Sequence, residues 1–168
     1  MRKFLFFAGG VLALFFSFAL GFFFGTRSVK MKDVKVQESL QDELHSGQGL
    51  LLKISNQSSM SESFGQGPDV FSVMSVEYSG YTYLTDASHH NAVVKMSDDD
   101  LLFLYRFCKE AYENGTFDDY SENILDGATY TYIFRDKDGA EHVIYDGYCY
   151  SNPELIKVRE LIYSYFNR

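Results

Sequence analysis

Proline and cysteine occur only twice each in the 168 residues, and 15 basic residues face 23 acidic ones. Two prolines beside thirteen glycines exclude a low-complexity linker, and two cysteines exclude a disulfide-dense miniprotein. A net charge of −8 argues against a nucleic-acid partner, whose phosphates need a basic surface. Several chemical signatures are also missing. The sequence has no Gly-x-Ser-x-Gly, no phosphate-binding glycine loop, no His-Glu-x-x-His and no Cys-x-x-Cys. What is present is 46% hydrophobic and 17% aromatic, enough for one compact domain with an accessory segment.

The accessory segment is at the start. Between Lys3 and Arg27 no residue is charged, and Phe4 to Gly25 forms an apolar run of 22 residues. As a helix this run would be about 33 Å long, against a hydrocarbon core of about 30 Å. The run therefore predicts a transmembrane helix or signal anchor over residues 1–27, with the lipid bilayer as its partner. Small residues at Ser17 and Ala19, or at Ala19 and Gly21, suit signal cleavage and a secreted product. Phe22 to Phe24 extend the apolar run past either site and favour retention. The first 35 residues carry Arg2, Lys3, Arg27, Lys30, Lys32 and Lys35 against Asp33 alone, so the body is more acidic than the whole chain. More positive residues follow the run than precede it, which biases the body towards the cytoplasm. An even cysteine count and an acidic, Tyr-rich body favour export instead, and the expected location is extracytoplasmic.

The body reads as α+β. Residues 28–48 carry Val36, Leu40 and Leu44 four apart: a juxtamembrane stalk helix, or one packed on its own domain. The domain proper spans 49–168. Strands are expected at Leu50–Ile54, Val70–Tyr78, Tyr81–Thr85, Ala92–Met96, Thr129–Arg135 and Glu141–Tyr145. Asn56 to Asp69 reads as a loop, and Asp138-Gly139 as a tight mirror-image hairpin turn. Ser97 caps a helix that Asn114-Gly115 stops, and Asn152-Pro153 opens a terminal helix. Hairpins with two amphipathic helices predict two layers, an antiparallel sheet with both helices on one face.

This order resembles small exported bacterial envelope domains of unknown function. The resemblance covers about Val70 to Phe166 and is carried by Ser79-Gly80, Met96-Ser97-Asp98, Asp138-Gly139 and Asn152-Pro153. It implies an envelope setting and carries no functional residue across. The chain departs from such domains, often found on lipoproteins, in lacking a lipid-acceptor cysteine.

Candidate chemistry is sparse. Cys108, on the apolar stripe of the first domain helix, and Cys149, ahead of the last, could form a disulfide if the helices are neighbours. Closing about 40 residues would stabilise by about 4 kcal/mol. The alternative is a pair of buried thiols. His89 and His90 beside Asp86 read as a solvated loop, Asp98 to Asp100 as helix-start acids, and Asp136 with Asp138 as a turn, so no metal and no cofactor is expected. Cys108, His142 and Asp146 can be written as a nucleophile, base and orienter, but a mid-helix core position is wrong for a nucleophile. Tyr81 and Tyr83 share one face of their strand, and Tyr130 and Tyr132 one face of theirs. If the sheet keeps one face open, these four rings are a possible interaction face; otherwise they are core. The expected function is a non-enzymatic, membrane-anchored interaction or assembly module with an envelope protein partner. A small secreted or periplasmic enzyme is the alternative, and a cytoplasm-facing regulator follows if the positive residues set the topology.

Overall fold

A computed structural model describes residues 35–58, 70–86, 91–124 and 127–167. The apolar run Phe4 to Gly25, His89 and His90, and most of the Asn56–Asp69 stretch lie outside the described residues. No helix among the described residues is long and apolar enough to cross a membrane. Contacts divide the chain into Met1–Ser39 and a body, Leu40–Arg168.

The body is α+β, with three helices and one six-stranded antiparallel sheet among the described residues. The strands are β1 (Leu50–Ser58), β2 (Val70–Glu77), β3 (Tyr81–Asp86), β4 (Asn91–Lys95), β5 (Ala128–Arg135) and β6 (Glu141–Tyr148). Their order across the sheet is β4-β3-β2-β1-β5-β6. Helix α1 covers residues 35–46, α2 Asp98–Asn114 and α3 Pro153–Ser164. Polar residues at the end of β1, expected as loop, stay in strand because both neighbours engage them. Asn56 pairs with Ser72 on one side and Tyr130 on the other.

The register defines the two faces. Ile54 lies opposite Met74 and Tyr132, and Met74 opposite Leu84, so these four share a face. Ile54, Met74 and Tyr132 are fully buried there, with Val76, Thr82 and Phe134. The helices pack on this face. Tyr132 donates its hydroxyl to the Leu155 carbonyl of α3 at 3.0 Å, and the Ser72 and Tyr163 hydroxyls are 3.3 Å apart. Tyr105 of α2 meets Phe134 edge-on at 6.3 Å between ring centres.

Local chemistry explains the helix ends. The Ser97 side chain accepts from the Asp100 N–H at 3.3 Å, and Asp98 to Asp100 sit at the positive end of the α2 dipole. Gly115, at φ 58°, closes α2 in the left-handed conformation that glycine adopts without steric cost. Asn152 accepts from the Glu154 and Leu155 N–H groups at 3.0 and 3.1 Å, and Pro153 needs no partner at the first turn. Tyr165, just past α3, bonds to Ser97 and Asp100 at the start of α2. The two helices therefore run antiparallel.

One expectation needs correction. The β5–β6 connection is longer than a two-residue turn. Asp136 N–H donates to the Ala140 carbonyl at 2.9 Å, Gly139 N–H to the Asp136 carbonyl at 3.0 Å, and Gly139 has φ 87°. Asp136 Oδ1 accepts from the Asp138 and Ala140 N–H groups, which stabilises this wider loop. As for α1, Leu44 is buried in the body's core and Leu40 packs against it. Glu43 bonds to Lys109 and Tyr105 of α2, so from Leu40 onward this helix is packed on its own domain.

Candidate interaction surface

The register separates the four candidate tyrosines. Tyr83 lies opposite Ser75 and Val93; Ser75 lies opposite Lys53, and Lys53 opposite Ile133. This row occupies the face away from the helices, together with Tyr81. Tyr130 and Tyr132 belong to the helix-covered face. Tyr132 is 0% exposed, and Tyr130 lies under Arg159, whose guanidinium carbon is 4.3 Å from the ring centre. The four rings therefore do not form one surface: Tyr132 is core with half-buried Tyr130 beside it, and exposed Tyr81 and half-buried Tyr83 lie on the opposite face.

The open face carries Tyr81, 49% exposed, Val93, 55%, and Val143, 62%, along its two margins. No described helix packs on it. Its charged groups are largely engaged within the face. Lys95 Nζ sits 5.0 Å above the Tyr81 ring and bonds to the Ser79 carbonyl. Glu77 accepts from the Tyr83 hydroxyl at 3.1 Å and from Ser79 at 2.8 Å. Arg135 pairs with Glu141, and Thr131 donates to Asp146 at 2.9 Å. A face whose charges are largely engaged, with exposed aromatic and branched side chains at its margins, suits protein contact.

The helical layer offers a groove between α2 and α3 with a cavity volume of about 310 Å³. Phe103, Phe107 and Phe117 line it, with Arg106, Glu110 and Glu154 around them. Among the described residues, no cluster of three or more His, Cys, Asp or Glu side chains is placed to hold a metal ion.

The expected disulfide is absent: Cys108 and Cys149 are both free and buried. They occupy different neighbourhoods. Cys108 lies within the α2 stripe, and burial pushes its thiol well up. Cys149 lies beside Arg159 and Tyr132; burial raises its thiol further than those two neighbours lower it. Neither is a poised nucleophile. His142 is 2.9 Å from Asp136 and stacks on Tyr112 at 3.8 Å between ring centres. Asp146 lies on the open face with Thr131, so the three residues of the notional triad do not meet.

Glu122 carried no sequence signal. It lies in the connection before β5, and its carboxylate accepts from the Tyr150 and Ser151 N–H groups at 2.9 Å each, and from the Tyr120 and Ser151 hydroxyls. Burial alone would raise its pKa; these donors outweigh burial and hold it at about 2. A depressed carboxylate stabilises the fold above its unfolded pKa, and this is lost as pH falls through the folded value. Glu122→Gln should therefore destabilise by about 2 kcal/mol near neutral pH. Denaturant midpoints of variant and wild type should converge between about pH 4.5 and 2. A gap that persists unchanged at the acid end would show that shape, not charge, matters there.

Comparison with family models, with curated proteins and with solved structures gives no match.

Proposed function

We propose that the chain is a single-pass, membrane-anchored extracytoplasmic domain that acts as a protein-interaction or assembly module of the cell envelope. The observation that carries the reading is the division of the sheet: one face is packed under helices, and the other exposes Tyr81, Val93 and Val143. Buried, unreactive thiols add to it. The charge-free run Phe4 to Gly25 supports the anchor.

The test has two arms. Intact protein should stay in membranes through alkaline carbonate washing, with the body digested by protease only from the exterior. Affinity purification of the full chain should recover one stoichiometric protein. Tyr81→Ser combined with Val143→Ser should lower that recovery about tenfold, a loss of about 1.4 kcal/mol. Arg106→Ser, in the α2–α3 groove, should leave it unchanged. Loss with Arg106→Ser alone would move the function to the groove and favour the enzyme reading.

A further inference from the structure

The two edges of the sheet are unlike. In β6 the ladder to β5 is interrupted by a register shift between Tyr132 and Ile133, an irregularity that hinders further strand addition. The β3–β4 ladder runs without a shift from Tyr81↔Lys95 to Thr85↔Asn91. β4 contains no proline and no glycine, and the side chain of Lys95, its one charged residue, is folded back over Tyr81.

Backbone direction in β4 follows from one bond. Met96 N–H donates to the Gly80 carbonyl at 3.0 Å, on the β3 side. Because backbone groups alternate along a strand, Ala92 and Val94 also point to β3, while Val93 and Lys95 point theirs to the outer edge. No described strand lies beyond that edge.

We propose that β4 pairs with β4 of a second copy of this chain, antiparallel about a two-fold axis at Val93, joining two six-stranded sheets into one. The sequence Asn-Ala-Val-Val-Lys suits this register. Val93 meets the partner's Val93 as a hydrogen-bonded pair, and Lys95 falls opposite Asn91 rather than another lysine, so no like charges oppose. On the open face the pairing continues Tyr83 and Val93 into the same two residues of the second copy. On the other face Ala92 meets Val94. The interface is isologous, as a two-fold dimer requires. Since β4 has only five residues, the dimer is weak and favoured by confinement. The proposal rests on the reading of the body as an interaction module, and it does not depend on the anchor.

The test uses the full chain in detergent micelles. Val93→Cys should cross-link to itself under mild oxidation, since hydrogen-bonded antiparallel partners lie about 5.5 Å apart between Cα atoms, within disulfide reach. Val143→Cys, on the opposite margin of the same face and at least as exposed, should cross-link about tenfold more slowly. The native cysteines are buried and leave the background low. Val93→Pro should keep the fold, because the N–H it removes is not used in the β3 ladder. It should raise the concentration needed for self-association in sedimentation equilibrium by about tenfold or more. Should Val93→Pro fail to fold, Val93→Lys opposes like charges at the axis and should weaken association likewise. A monomeric wild type, equal cross-linking at 93 and 143, or a folded Val93→Pro that associates like wild type overturns the proposal. A chain that recovers a different envelope protein yet never self-cross-links overturns it too, while leaving the module reading in place.

Discussion

Tyr132→Ala should cost about 3–5 kcal/mol, a large share of the about 5–15 kcal/mol that holds a domain of this kind together. The residue is fully buried in β5, opposite Ile54 on one side and Tyr145 on the other. Its ring meets Tyr145 at 6.0 Å, and its hydroxyl ties the sheet to the first turn of α3. Truncation leaves a cavity between sheet and helix and also leaves buried apolar surface without contacts. Tyr132→Phe should cost only the hydrogen bond, about 1 kcal/mol. Tyr81→Ala, on the open face, loses a cation–ring contact and should stay under about 1 kcal/mol. Urea midpoints for the three variants give the comparison directly. Equal losses at positions 81 and 132 would contradict the assignment of the two rings to opposite faces.

That assignment also shows where sequence stops being informative. Alternation within a strand establishes that Tyr130 and Tyr132 share a side, and that Tyr81 and Tyr83 share one. It does not relate one strand to another, because that depends on pairing with β1 and β2, which lie between them. Only the chain of partners Tyr132, Ile54, Met74 and Leu84 decides it. The helix ends were legible for the opposite reason. Ser97, Gly115 and Asn152-Pro153 act through backbone groups a few residues away, so a local reading suffices. Residues 56–58 read as loop but lie in β1, because a central strand holds polar residues that propensity alone assigns to a loop. Glu122 was illegible throughout. Its donors are close in sequence at Tyr120 but 28 and 29 positions distant at Tyr150 and Ser151, and no spacing rule links them.

In native protein, thiol reagents should modify neither Cys108 nor Cys149, whereas in denaturant without reductant both should react. Each is 0% exposed, and burial raises both thiols, so little thiolate forms and none is reachable. Adding a reductant to native protein should leave the melting temperature unchanged, because no bond closes the loop between them. A bonded pair would behave otherwise: cutting it would release about 40 residues in the unfolded chain and remove about 4 kcal/mol. For a domain of this size that is a fall in melting temperature of about 10 °C or more. Failure to label either cysteine in denaturant until reductant is added would establish the bond and overturn the separation of the two neighbourhoods. The result also bears on topology. Free, buried thiols persist in reducing and oxidising compartments alike, so the even cysteine count then says nothing about which side of the membrane holds the body. Orientation becomes a question for protease accessibility alone.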